Sequence, residues 1–239
     1  MSFIRLQNVT KVYPVGANFV RALDDVSLEI AGGEFVALVG PSGSGKSTLL
    51  TILGALNPPT GGEVFIDDIA VYRLSPERQA DFRSAYIGFV FQQHQLIPYL
   101  TVLENVLLPL AILNYSHAEQ LKRAMAVLEK VGLADKANRL PNQLSGGEQG
   151  RVAIARAIVN APPIILADEP TGNLDSHTGE TIMEIFRALN AEGITIIMVT
   201  HNHDNLRYAQ RVLFMKDGRL KPNGAREEGV KSCAVPTSL

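Results

Sequence analysis

Gly40-Pro41-Ser42-Gly43-Ser44-Gly45-Lys46-Ser47 is the stretch of this chain whose residue types most directly imply chemistry. It fits G-x-x-x-x-G-K-[ST], follows the apolar run Phe35–Val39 and precedes Leu49, Leu50 and Leu53 at helical spacing. A strand should therefore lead into the loop and a helix out of it, the context this pattern requires. Gly43 and Gly45 let the backbone wrap closely, so that amide N–H groups face phosphate oxygens, and the helix N-terminus adds a favourable dipole. Lys46 can place its ammonium between the β- and γ-phosphates, Ser47 can offer a hydroxyl to Mg²⁺, and Thr48 extends the same binding stretch. Ile164–Pro170 (IILADEP) ends an apolar run in two carboxylates. Asp168 is placed to hold Mg²⁺ through its water shell, and Glu169 points onward to where a water could attack a γ-phosphate. Alone, a strand ending in a solvated acidic pair would look the same. Beside the glycine loop, the pair reads as the second half of a nucleotide site.

A second segment also suits an anion. Leu144–Ala157 reads LSGGEQGRVAIARA. Ser145 and Glu148 have capping-box spacing, so a helix should start there. Gly146 and Gly147 leave its first amides uncovered by side chains.

Several elements are needed to position these residues. Phe35–Val39, Ile164–Ala167 and Ile194–Thr200 are unbroken apolar runs, as strands buried on both faces should be. Helical patterns lie between them, such as Ile182, Ile185, Phe186 and Leu189, with Gly193 as the stop. The alternation predicts an α/β core with a mostly parallel sheet. The N-terminal part differs: Phe3–Val12, Ala22–Ile30 and Glu63–Ile66 read as short antiparallel strands, with turns at Ala31–Gly33 and Thr60–Gly62. From about 99 to 142 the pattern is that of a helical insertion. There Ser116 and Glu119 form a second capping box, Leu121, Met125 and Leu128 share a face, and Gly132 is a stop. Residues 221–239 are polar and aperiodic, an expected mobile tail.

Composition sets bounds. The chain is 46% hydrophobic and 19% charged with a net charge of −2, so a globular fold is expected. No nucleic-acid partner is expected, because the basic bias of such surfaces is missing. The single cysteine, Cys233, excludes a disulfide scaffold and a cysteine-based metal site. Met1–Thr10 lacks the features of a signal peptide. Apolar stretches such as Val106–Leu113 fall short of the ~20 residues that span a bilayer. The chain is expected to be cytosolic, or to dock on a membrane through something else.

No Asn-Lys-x-Asp base-reading motif is present, which sets GTPases aside. GPSGSGKS, LSGGE, IILADEP, Gly172–Asp175 (GNLD) and Val199–His201 (VTH) stand in an order that resembles the ATP-binding cassette subunits of ABC transporters, from about Phe3 to Leu220. The resemblance implies a P-loop NTPase core with an N-terminal antiparallel β subdomain and a helical insertion subdomain, forming one ATPase domain over 1–220. It implies ATP and Mg²⁺ as ligands and ATP hydrolysis as the reaction. It also implies a second copy of the chain packed head to tail, with Ser145, Gly146 and Gly147 of one copy covering the γ-phosphate held by the other. Tyr13 (KVYP) matches the aromatic that stacks on adenine, although a core tyrosine at a strand end would read alike. Gln92 (FVFQQ) matches the glutamine that contacts Mg²⁺ and the attacking water, with Gln93 as the neighbouring alternative. His201 matches the residue that hydrogen-bonds the γ-phosphate and orients Glu169; His203 nearby keeps a metal reading open. Asp175 would cross the dimer interface. Catalysis thus falls to Glu169, His201, Lys46 and Gln92, and metal binding to Ser47, Gln92 and Asp168.

Separate transmembrane permease subunits are the implied partners, which puts the chain peripherally on the cytoplasmic face of the inner membrane. IGFVFQQ, LIP, LTVLENV and PTGNLDS resemble the subgroup serving lipoprotein release, macrolide or peptide export, and cell division. Export or extraction is expected; an importer ATPase and a non-transport ABC ATPase are the alternatives. Gly150 departs from the family pattern, which usually has glutamine there. Glycine inside a helix costs about 1 kcal/mol against alanine, and the sequence offers no account of it.

Overall fold

The structure is a computed structural model, and residues 2–16 and 18–221 are described. Cys233 and the expected tail beyond Lys221 lie outside the described residues.

The chain opens with an antiparallel hairpin, β1 (Ser2–Val15) and β2 (Asn18–Ala31). Each strand is 14 residues long, whereas the sequence pattern suggests short ones. The pairing slips between Leu6 and Val9 and again between Val9 and Lys11, and Asn8 and Asp25 take left-handed φ of 50° and 56°. Each slip flips the alternation of inward and outward side chains, so one long strand reads as fragments. β3 (Phe35–Val39) enters a second layer and leads through the glycine loop into α1 (Lys46–Leu53). β4 (Gly61–Ile66) and β5 (Ile69–Ala70) complete the first sheet in the order β2-β1-β4-β5. Gly61 and Gly62 therefore belong to a strand rather than to the expected turn.

The remaining elements are α2 (Pro76–Tyr86), β6 (Ile87–Phe91), α3 (Val102–Leu107), α4 (His117–Lys130), α5 (Gly146–Ile158), β7 (Ile164–Asp168), α6 (Ser176–Ala191), β8 (Thr195–Val199), β9 (Arg211–Lys216) and β10 (Arg219–Leu220). The second sheet has the order β10-β9-β3-β8-β7-β6, parallel except for β10. Alternate residues of its central strands enter different cores. Val36, Leu38, Ile164, Leu166, Ile197 and Val199 pack with α1 and the first sheet. Phe35, Ala37, Ile165, Ala167, Ile196 and Met198 pack with α3, α4, α5 and α6. Burial on both faces explains why these strands read as unbroken apolar runs.

The helical insertion has no core of its own. Val102 and Val106 of α3, Leu110, and Ala124 and Leu128 of α4 share one cluster with the sheet. Only half of the capping box expected at α4 forms. Ser116 accepts from the Glu119 N–H at 3.2 Å, but the Glu119 carboxylate accepts from Arg123 Nε at 2.9 Å. Thr101 and Glu104, at the same spacing, make a complete box at α3. On α6, Ile182, Phe186 and Leu189 are buried, and Gly193 follows with φ 97°. Because β3, β6, β7 and β8 are parallel, the segments after them emerge along one edge of the sheet, where open α/β folds hold their ligands.

Candidate active site

The glycine loop is wedged between the two layers. A Cβ on Gly40 would lie 2.0 Å from the Met215 carbonyl oxygen of β9, and one on Gly45 would lie 2.3 Å from the Ala22 carbonyl oxygen of β2. Both residues have positive φ, so backbone conformation and space each demand glycine. Pro41, Ser42 and Gly43 are exposed, Ser44 is buried, and Thr48 is half-buried at the start of α1. Lys46 folds back over the loop: its Nζ donates to the carbonyls of Gly40 and Pro41, both at 2.8 Å. Burial pulls its pKa down, opposed by the carboxylates of Glu169 and Asp168.

Those carboxylates stand at the end of β7. Desolvation raises the pKa of Asp168, a hydrogen bond with Ser47 lowers it, the neighbouring Glu169 raises it, and Lys46 lowers it. The Ser47–Asp168 contact joins two hard oxygen donors, a set suited to Mg²⁺. Glu169 has φ 48°, unusual for a residue with a side chain. Its amide donates to the Val199 carbonyl at 2.9 Å. Its carboxylate is gripped by His201: Oε1 is 2.8 Å from the ring Nδ1, and Oε2 accepts from the His201 backbone N–H at 3.2 Å. The glutamate is 14% exposed and the histidine 70%, so the ring is free to reach outward while it holds the acid.

Gln92 follows β6, whose last residue, Phe91, pairs with Asp168. The Gln92 amide nitrogen lies 3.0 Å from where a Gly172 Cβ would sit, which brings it beside the segment following Glu169. Gln93 is exposed. Tyr13 lies in β1 opposite Val20; its hydroxyl accepts from Asn57, and Lys11 Nζ sits 5.1 Å from the ring centroid.

The second anion-suited segment is built as its sequence predicts. Ser145 Oγ accepts from the Glu148 N–H at 3.3 Å, and Glu148 Oε2 accepts from the Ser145 N–H at 2.8 Å. Lys136 pairs with the other carboxylate oxygen. Lys136 first, then the Ser145 backbone, hold the Glu148 carboxyl down at about 2. Its two glycines have different roles, however. Gly146 is exposed, but Gly147 is buried, and a Cβ there would lie 2.1 Å from Thr178 Cγ2. Gly147 is thus required by the close packing of α5 on α6. Asp175 caps α6 within its own chain, accepting from the Thr178 N–H at 3.0 Å and the Thr178 hydroxyl at 2.6 Å. Among the described residues, no hydrogen bond joins 145–147 to 40–48. No group of three or more His, Cys, Asp or Glu side chains among them is placed to hold a metal ion.

A family model described as ABC transporter matches residues 23–172. An uncharacterized ABC transporter ATP-binding protein of Methanocaldococcus jannaschii, MJ0796, is 52% identical over 234 residues, 95% of this chain and 97% of that protein. This chain belongs to the ABC transporter family. The macrolide export ATP-binding/permease protein MacB of Aggregatibacter actinomycetemcomitans is 48% identical over 239 residues, and the cassette spans 37% of that protein's length. The dimeric structure of a post-hydrolysis state of the MJ0796 cassette bound to ADP and Pi superposes with a TM-score of 0.85 at 50% identity, covering 92% of this chain and 97% of that one.

The chain is an ATP-binding and ATP-hydrolysing cassette of this family. No helix among its described residues is long and apolar enough to cross a membrane. Sequence reasoning missed two parts of the cassette's site. Buried Asn205 donates to Thr171 Oγ1 at 2.7 Å and to Thr200 Oγ1 at 3.3 Å, tying the segment after Glu169 to the one before His201. Buried His94 lies against Gly150. The odd glycine was the one available signal for the second; the first left none.

Proposed function

We propose that two copies of this cassette close head to tail over ATP, each presenting Ser145, Gly146 and Gly147 to the phosphates held by Gly40–Thr48 of the other. The observation that carries the reading is the exposed start of α5, fully capped by Ser145 and Glu148 yet unlinked to the glycine loop of its own chain. A helix start with spare amides is an anion site in search of a ligand, and the partner's γ-phosphate is that ligand.

In the closed pair, Lys46 exchanges the carbonyls of Gly40 and Pro41 for the β- and γ-phosphates, and the loop amides stabilise charge developing there. Glu169 accepts the proton of the attacking water. His201 keeps that carboxylate aimed and hydrogen-bonds the γ-phosphate. Tyr13 stacks on adenine, and Asp175 reaches toward the partner site from the start of α6. Ser47, Asp168 and Gln92 would hold Mg²⁺, which neutralises charge on the phosphate oxygens. Residues 1–220 form the working ATPase domain, and the insertion at 99–142 passes closure to separate transmembrane permease subunits. The cassette then sits peripherally on the cytoplasmic face of the inner membrane. The permease joined to the cassette in MacB, and that protein's macrolide export, support export or extraction as the task.

Complementation tests the composite site. Copies with Lys46→Ala and copies with Ser145→Arg should each be inactive. Mixed in equal amounts, they should recover roughly a quarter of the wild-type sites, because half of the randomly paired dimers hold one intact pocket. No recovery on mixing, or full turnover by a strictly monomeric chain, refutes the reading.

A further inference from the structure

The segment after β6 turns sharply. His94 and Gln95 are consecutive residues with left-handed φ, 57° and 48°, a rare pairing for residues with side chains. The His94 amide donates to Phe91 O at 2.9 Å, closing the turn around Gln92. From α5, Arg156 lays its guanidinium fork on both left-handed residues: NH1 donates to Gln95 O at 2.6 Å and NH2 to His94 O at 2.7 Å. The His94 side chain points at the same helix. It is 8% exposed, with Cε1 at 3.4 Å and Nδ1 at 3.9 Å from the position a Gly150 Cβ would take. Ile182 Cδ1 of α6 stands 3.3 Å from that position. Gly150 is itself buried, so the floor of this socket is bare helix backbone. A glycine that weakens the middle of a helix is thereby explained: the missing side chain is the room the imidazole occupies.

We propose that His94 and Arg156 are positioning residues. The ring seated over Gly150 and the fork on two carbonyls fix the Gln92 turn to the helix that begins at Ser145, so that Gln92 and the start of α5 move as one body. The proposal rests on the role given to Gln92 above. It adds that a displacement of α5, whose exposed start serves the partner's ATP, shifts Gln92 beside the chain's own ATP.

The test uses the full chain and fills the socket. Gly150→Gln puts atoms where the ring lies but leaves Lys46 and the glycine loop untouched. Its kcat should fall roughly tenfold, with KM for ATP within about twofold. Adding His94→Ala vacates the space, so the double variant should turn over faster than G150Q alone. Arg156→Lys keeps the charge, loses the fork and should also lower kcat more than it raises KM. Circular dichroism establishes that each variant folds. G150A, whose methyl meets the ring at 3.4 Å, serves if G150Q does not fold, and its loss must shrink in the H94A background. Wild-type kcat in a folded G150Q, or losses from G150Q and H94A that simply add, overturns the proposal. Gln92→Ala separates the two ideas. An unimpaired Q92A refutes the role of Gln92 and with it the route from the socket to turnover. An impaired Q92A beside additive losses refutes the socket alone.

Discussion

Substituting Gly147 by alanine probes the join between α5 and α6 directly. The added methyl would stand 2.1 Å from Thr178 Cγ2. That atom cannot swing aside cheaply, because the β-branched side chain is held by its hydroxyl, 2.6 Å from Asp175 Oδ2 at the cap of α6. Overpacking of this kind costs ~1–3 kcal/mol. Alanine in place of a helical glycine returns at most ~1 kcal/mol. An approach as close as 2.1 Å belongs to the upper part of that range, ~2–3 kcal/mol, so the balance is a destabilisation of ~1–2 kcal/mol, which for a chain of this size lowers Tm by ~2–8 °C. Thr178→Ser supplies the control, since it removes the offending methyl and keeps the hydroxyl on Asp175. G147A should melt lower than wild type by differential scanning calorimetry, and G147A/T178S should regain most of the loss. If G147A melts at or above the wild-type temperature, or T178S has the same effect in both backgrounds, the account of Gly147 fails.

Glu148→Gln keeps a residue able to complete the cap but loses the pair with Lys136. The native carboxyl is depressed to about 2 from 4.5, so its contribution is present above pH 4.5 and lost as pH falls toward 2. The stability advantage of wild type over E148Q, about 0.5–1 kcal/mol at pH 7, should therefore vanish across that window in urea titrations; a difference that does not change with pH contradicts the assignment. Asn205→Ala strips the buried Thr171 and Thr200 hydroxyls of their shared donor and should destabilise the fold by ~1–3 kcal/mol. A thermal midpoint equal to wild type would show that the network contributes nothing.

What the sequence made legible follows from how locally each feature is specified. The glycine loop was readable because its glycines, its lysine and the flanking strand and helix lie within one short stretch, although the carbonyls that leave no room for a Cβ on Gly40 and Gly45 belong to distant Met215 and Ala22. The capping box at Ser145 was readable for the same reason. The length of β1 and β2 was not, because register slips and the left-handed Asn8 and Asp25 interrupt the period of two. Periodicity showed that α4 had an apolar face but not that it joins the sheet's own core, since a face carries no label for its partner. At Ser116 the spacing allowed a reciprocal cap, yet Arg123 one turn on competes for Glu119 and wins. Gly150 stood out as odd, but its explanation lies in His94, which only the folded chain brings near.

The order β3-β8-β7-β6 has a consequence for how the protein is made. Lys46 emerges early in synthesis. The carbonyl that backs Gly40 belongs to Met215, and the strands flanking β3 are β8 and β9, among the last described segments to be translated. Pairing over such separations is slow and cannot begin until both partners exist. A polypeptide ending before β9 therefore lacks the carbonyl that backs Gly40, and the glycine loop acquires its final surroundings only when the sheet is complete.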